Sequence, residues 1–339
     1  MNHEPKTSSA SESVISTAGL ARSFGHTQAV KSISFSVAKG EVFGFLGPNG
    51  AGKTTTIGML CTLLTPSAGQ ATVAGFDIGS ERTEIRRSIG LVFQDPTLDE
   101  YLTALQNLRF HAYAYGMPRR VRDERIYELL NLMELWDRRN SSVREYSGGM
   151  KRRLEIARGL LHHPQILFLD EPTLGLDPQT RHRIWEYVLD LRRREALTIF
   201  LTTHYMDEAE NCDRIAIIDE GEIVALDRPE ALKSSLGGDV VTLRVEDGAA
   251  AAAELFARYE LSASIDDDGV RFKLPCAEEF LPGLIRSFSC KILAVNVRRP
   301  TLDDVFLSLT GHSIRDDRPS ANKQLRRYVN TPGMKSQLN

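Results

Sequence analysis

The chain has 339 residues, 42% apolar and 26% charged, with 42 Lys and Arg against 45 Asp and Glu and a formal charge of −3. That length supports two or three domains with sizeable cores, and the near-balance of charge excludes a wholly basic nucleic-acid coat or an acidic disordered solvator. No run approaches the roughly 20 apolar residues of a membrane span, and the four cysteines (Cys61, Cys212, Cys276, Cys290) are scattered without a C-x-x-C, which fits a reducing cytoplasm and not a disulfide scaffold or zinc site.

Residues 1–13 are polar, lack an apolar h-region and read as a mobile tail, not a secretory signal. From Val14 to Val42 the pattern alternates. Ile33, Phe35 and Val37 are apolar while Ser34 and Ser36 are polar, which predicts half-buried antiparallel strand with Lys39-Gly40 as a turn. Val42-Phe43-Gly44-Phe45-Leu46 then reads as a fully buried strand running into a glycine-rich loop, followed by a helix over Thr55–Leu63. From about 100 to 162 the period becomes helical: Ile126, Leu129, Leu130 and Met133 fall on one helix face, and so do Met150, Leu154, Ala157 and Leu161. Buried-type strands return at Ile166–Leu169, Thr198–Thr202 and Ile215–Ile218. Strands alternating with helices imply a parallel sheet.

The texture shifts near Ser234–Asp239. The order then reads strand (Val240–Val245), helix (Ala249–Tyr259), strand, a turn at Asp266–Gly269, strand (Val270–Leu274), helix (Ala277–Phe288) and strand (Lys291–Val297), a ferredoxin-like β-α-β-β-α-β. A last helix (Leu302–Leu309) is expected to dock back on a domain face. Residues 311–339 hold six Lys or Arg and two Asp and read as a solvated, flexible tail, with attraction to an anionic membrane surface as the lesser reading.

The chemistry concentrates in two places. Gly47-Pro48-Asn49-Gly50-Ala51-Gly52-Lys53-Thr54 fits G-x-x-x-x-G-K-[ST] at every fixed position, where a chain of this length would show ~0.01 matches by chance. Glycines let backbone N–H groups converge on phosphate oxygens, and the helix that follows, with Thr55 in its first turn, adds a favourable dipole. Lys53 neutralises the β- and γ-phosphates, and Thr54 offers a hydroxyl to Mg²⁺. Ile166-Leu167-Phe168-Leu169-Asp170-Glu171 closes a buried strand on two acids, 117 residues after Lys53. Asp170 stands where a Walker-B acid meets Mg²⁺, and Glu171 can act as general base toward the attacking water. Without the glycine loop, such an acid pair would read as loop solvation.

With these motifs in this order, residues 14–235 resemble the ATP-binding cassette (ABC) family of transporter ATPases. Tyr146-Ser147-Gly148-Gly149-Met150 is similar to the family signature Leu-Ser-Gly-Gly-Gln. Ser147, Gly148 and Gly149 match; Tyr146 and Met150 depart, and position 150 lacks an amide that could touch the nucleotide. Alone, Ser-Gly-Gly would be a helix cap. The resemblance implies further roles: Gln94 as the Q-loop glutamine linking Mg²⁺ and γ-phosphate to a membrane partner, Gly175-Leu176-Asp177 as the D-loop at a dimer interface, and His204 as the switch histidine at the γ-phosphate. Phe24 stands where the family stacks an aromatic on adenine, though the ring could equally belong to the core. The implied fold is α/β: a P-loop NTPase (RecA-like) parallel sheet core with an antiparallel β subdomain and an α-helical signature subdomain. A small α+β accessory domain at 236–310 follows.

A finer resemblance is to the drug-exporter ATPases of daunorubicin resistance type and the related lipo-oligosaccharide exporter ATPases. It is carried by Tyr-Ser-Gly-Gly-Met-Lys-Arg-Arg-Leu at 146–154, Thr-Thr-His-Tyr-Met-Asp-Glu-Ala at 202–209 and Arg-Pro-Thr-Leu-Asp-Asp-Val-Phe at 299–306. It implies an ATPase with ATP and Mg²⁺ as cofactors, a head-to-tail homodimer, a separate integral-membrane permease, a peripheral place on the cytoplasmic face of the membrane, and no nucleic-acid partner. The permease would dock beside Asp95–Leu102, whose apolar side chains read equally as core anchors. Two alternatives stand: a soluble ABC-type ATPase acting on ribosome or DNA, and a nucleotide sensor without turnover, against which Glu171 argues.

Overall fold

The structure is a computed structural model that describes residues 12–266 and 269–311; nearly all of both terminal tails named above lies outside the described residues. The described chain falls into two compact units, one running to Val224 and the other from Ala225.

In the first unit, β1 (Ser13–Phe24) and β2 (Thr27–Ala38) pair antiparallel. The alternation near the N-terminus therefore holds two strands, divided at Gly25-His26, where Gly25 takes a φ of +57° that a side chain would resist. Ile33, Phe35 and Val37 are buried and Ser34 and Ser36 exposed, as period two requires. β3 (Val42–Leu46) begins the second sheet, and α1 (Lys53–Leu60) follows its loop. β4 (Ala68–Val73) and β5 (Phe76–Asp77) complete the antiparallel sheet in the order β2-β1-β4-β5. After α2 (Arg82–Ser88) comes β6 (Ile89–Val92), then three helices: α3 (Ala104–Ala114), α4 (Arg119–Leu132) and α5 (Gly148–Gly159).

The second sheet is completed by β7 (Ile166–Asp170), β8 (Thr198–Thr203), β9 (Arg214–Asp219) and β10 (Glu222–Asp227), with α6 (Pro178–Glu195) between β7 and β8 and α7 (Met206–Ala209) after β8. Its order is β10-β9-β3-β8-β7-β6. β3 lies parallel to β8 and β9, and β7 parallel to β6 and β8. β3 and β7 are buried at every position, the mark of a sheet covered on both faces. Phe35, Phe43, Phe45, Phe168 and Phe200 fill the layer between the sheets, with the Phe168 and Phe200 ring centroids 5.4 Å apart. Because parallel strands place all their C-terminal ends on one edge, the loops after β3, β6, β7 and β8 converge there.

The helices α3, α4 and α5 pack on one another. Thr103 and Gln106 form a capping box that starts α3, and Ile126, Leu129, Leu130, Leu154 and Ala157 are buried as their spacing predicts. His111 of α3 is half-buried near Arg158 of α5; burial, and then that positive charge, push its pKa down to about 4. Burial also lowers His162, which packs against the Tyr115 ring at 4.0 Å. An unfolded histidine titrates near 6.5, so below that pH the unfolded chain binds protons the native helices refuse. Stability is then full above about 6.5 and is lost as the pH falls toward 4. The thermal midpoint, followed by circular dichroism, should drop across that window, and a His111→Gln, His162→Gln double variant should flatten the drop.

The second unit holds α8 (Pro229–Ser234), β11 (Asp239–Val245), α9 (Gly248–Tyr259), β12 (Ser264–Asp266), β13 (Gly269–Leu274), α10 (Ala277–Ser287), β14 (Ile292–Arg298) and α11 (Leu302–Thr310). Its sheet is antiparallel in the order β12-β13-β11-β14, the ferredoxin-like arrangement. One core joins Val241, Leu243, Val270 and Phe272 of the strands to Ala251, Leu255, Leu281 and Leu284 of the helices. α11 packs against α8 with Leu302, Val305 and Phe306 buried. Among the described residues no helix is long and apolar enough to cross a membrane.

Candidate active site

The loop from Gly47 to Gly52 joins the buried β3 to α1. Gly52 has φ +105°, and a Cβ there would stand 2.5 Å from the Ala29 carbonyl oxygen, so no other residue fits. Among the described residues no side chain caps α1, which leaves its first-turn N–H groups free to receive an anion. Of the loop residues Gly47, Pro48, Asn49, Gly50 and Ala51, the first two hold the ammonium of Lys53, whose Nζ donates to the Gly47 and Pro48 carbonyls at 2.6 and 3.1 Å, while Asn49 and Gly50 are exposed. The same Nζ lies 3.1 Å from Glu171 Oε1, with both side chains buried. Thr54 follows with its hydroxyl 3.4 Å from Asp170 Oδ1, and Thr55 is half-buried beside it.

β7 delivers Asp170 and Glu171 to this point. The Thr202 hydroxyl, from the neighbouring β8, donates to Asp170 Oδ1 at 2.5 Å and accepts from the Glu171 N–H at 3.0 Å. Glu171 holds φ +44°, a left-handed conformation that costs about 1–3 kcal/mol for such a residue. The strain is localised at one of the two acids and turns its carboxylate between Lys53 and His204, whose Nδ1 lies 3.3 Å from Glu171 Oε2. Burial alone would raise the Glu171 carboxyl, but the His204 ring and the Lys53 charge outweigh it and hold the group below its ordinary range. Burial raises Asp170 against the Thr202 and Thr54 hydroxyls, and lowers the Lys53 ammonium against the two carboxylates. Five predicted residues, Lys53, Thr54, Asp170, Glu171 and His204, therefore form one cluster at the C-terminal edge of the parallel sheet.

Two contributors escaped the sequence reading. Thr202 bridges both acids, and the buried Glu208 of α7 accepts hydrogen bonds from the hydroxyls of Thr203 (2.7 Å) and Thr173. This ties the segment after β7 to the segment holding His204. Hydroxyls closing an otherwise apolar strand, Thr202-Thr203 after Ile199–Leu201, are the signal that marks them.

The other predicted residues lie elsewhere. Gln94 follows β6, and its side chain makes no hydrogen bond to the cluster among the described residues. Ser147 caps α5, accepting from the Met150 N–H at 3.3 Å. Gly148 and Gly149 face the loop that starts α6. A Cβ at 149 would meet Thr180 Cγ2 at 2.5 Å, and Thr180 is itself pinned by Asp177, which accepts its N–H and hydroxyl at 3.0 and 2.6 Å. No hydrogen bond or ion pair among the described residues joins Ser147, Gly148 or Gly149 to the Lys53 cluster. Tyr146 is buried and its phenol donates to the Arg138 carbonyl at 2.8 Å, which gives the departure at this position a physical reason. Phe24 is half-buried at the end of β1, with the Arg22 guanidinium 4.6 Å from its ring centroid, so it is no core residue. Tyr101 in the segment after Gln94 is 85% exposed and likewise anchors no core.

Among the described residues no group of three or more His, Cys, Asp or Glu could cage a metal. The Thr54 hydroxyl beside the Asp170 carboxylate is an oxygen pair of the kind that suits Mg²⁺, which takes one or two protein oxygens and completes its shell with phosphates and water.

The ABC transporter family model matches residues 30–174. A daunorubicin/doxorubicin resistance ATP-binding protein of Streptomyces peucetius is 42% identical, over 89% of this chain and 94% of its own. A Nod factor export ATP-binding protein of Rhizobium sp. (strain N33) is 39% identical, over 90% of this chain and 99% of its own. A solved dimeric ATP-binding cassette in a post-hydrolysis state, bound to ADP and Pi, matches with a TM-score of 0.57 at 29% identity, over 63% of this chain and 98% of that one.

Proposed function

Since the chain belongs to the ABC transporter family of ATP-binding subunits, we propose that two copies close head to tail around two ATP molecules and drive a hydrophobic drug or lipid-like compound out through a separate membrane permease. The chain is an ATPase of the exporter type. A soluble ABC-type ATPase acting on ribosome or DNA is not favoured, because the relatives that match it along nearly their whole length are resistance and export proteins. The observation that carries the reading is Glu171, held ionised between Lys53 and His204 at a strand end.

In the proposed cycle the loop N–H groups and Lys53 hold the β- and γ-phosphates. Thr54 and Asp170 would hold Mg²⁺, with Gln94 completing the set, and the cation would neutralise charge on the transferring group. Glu171 takes the proton of the attacking water, and His204 fixes its carboxylate and meets the γ-phosphate. Phe24 stacks on adenine. Ser147, Gly148 and Gly149 of a second copy close the site, because in one chain the two glycines lie against Leu176 and Thr180 and not Lys53. The expected place of work is the cytoplasmic face of the membrane.

Affinity purification of the tagged chain from its own cells, in mild detergent with ATP, should recover a polytopic membrane protein, and deleting the chain should raise cellular retention of a lipophilic dye or drug. Recovery of ribosomal or nucleoid proteins in its place would overturn the exporter reading.

A further inference from the structure

We infer that Arg152 is a positioning residue for hydrolysis, fixing the main chain beside Gln94 and at Asp170 and Pro172 to the helix that Ser147 opens. The inference rests on the ATPase reading above. Arg152 is 6% exposed and its partner Glu155 1%. A buried ion pair gains little stability over apolar packing, so its retention in the interior calls for another use. The guanidinium is spent on carbonyl groups at the ends of two strands. Nε donates to the Pro172 oxygen at 2.5 Å, Nη1 to the Phe93 oxygen at 2.6 Å and Nη2 to the Asp170 oxygen at 3.1 Å. Nη1 also meets Glu155 Oε2 at 3.1 Å.

Phe93 precedes Gln94, and Asp170 and Pro172 flank Glu171, so one planar fork sets three main-chain points around the acids and the glutamine. The next turns of α5 extend the grip. Glu155 Oε1 accepts the Thr97 N–H at 2.9 Å, and Arg158 donates to the Thr97 carbonyl and hydroxyl at 3.0 and 2.5 Å. Residues 152, 155 and 158 thus form a polar stripe on one side of α5 that clasps the segment from 93 to 97. Ser147, Gly148 and Gly149 stand at the start of the same helix. A shift of α5 imposed at Ser147 is therefore carried rigidly to Gln94 and Glu171. Lysine cannot reproduce this, because an ammonium lacks the fixed fork that reaches three carbonyls at once.

The test uses the full chain. Arg152→Lys is expected to lower kcat for Mg²⁺-ATP by 10- to 100-fold, the scale of a misplacement near 1 Å. The Kd for a fluorescent ATP analogue should stay within threefold, since no hydrogen bond of Arg152 reaches the Gly47–Lys53 loop. Half-maximal turnover should need more Mg²⁺, and the kcat loss should be much smaller when measured in a Gln94→Ala background, as coupled residues require. Glu155→Gln, which keeps the shape of the partner, should give a milder loss in kcat of the same kind and carries the test if Arg152→Lys does not fold. Turnover within twofold of wild type sinks the inference. So does a fall in kcat matched by an equal fall in nucleotide affinity and additive with Gln94→Ala, which would mark a purely structural role. Absence of ATPase activity in the wild-type chain would instead sink the reading beneath it.

Discussion

Glu171→Gln is expected to reduce ATP turnover by about 10²- to 10⁴-fold, the range supplied by a positioned general base, and to trap a dimer in the presence of ATP. Glutamine keeps the length of the side chain and can still hydrogen-bond Lys53 and His204, so the cradle for the phosphates survives. What is lost is the ability to take a proton from water. If the two copies are joined by the nucleotide they share, blocking hydrolysis leaves the joint in place. Multi-angle light scattering should then show twice the monomer mass with ATP and the monomer without it. A variant that stays monomeric at saturating ATP, or one that turns over like wild type, contradicts the arrangement.

Lys53→Ala should lose at least two orders of magnitude in ATP affinity. It removes the only cation that touches Glu171 Oε1 among the described residues and also the charge nearest the β- and γ-phosphates. A second effect follows from burial. Asp170 and Glu171 lie together in the interior, and deleting their cation leaves uncompensated negative charge there, a change worth about 3–5 kcal/mol. Chemical denaturation should report the loss of stability and equilibrium dialysis the loss of binding. Wild-type turnover in this variant would refute the phosphate assignment.

The sequence made some of this site readable and hid the rest for definite reasons. The glycine loop is legible because a phosphate cradle demands fixed residues at fixed spacing. Asp170 and Glu171 are legible because four apolar residues precede them. The accessory unit's strand and helix order is legible because its apolar residues alternate between periods of two and near four. The split at Gly25-His26 was hidden because a single glycine in the left-handed region is the backbone feature that marks the turn. The work of Thr202, Glu208 and Arg152 was hidden because each has a partner distant in sequence: Thr202 meets Asp170 across 32 positions, Glu208 meets Thr173 across 35 and Arg152 meets Phe93 across 59. The left-handed backbone at Glu171 has no composition signal, since the residue is not glycine and its strain is imposed by the surrounding fold.

The missing room beside Gly149 bears on how such subunits can be recombined. Grafting the segment that begins at Tyr146 from another exporter would import a helix shaped for a foreign Thr180. The mismatch would surface where the transplanted Gly149 meets Thr180, beside the face at which two copies are proposed to join. Working hybrids should therefore exchange residues 146–159 and 175–181 as a single block.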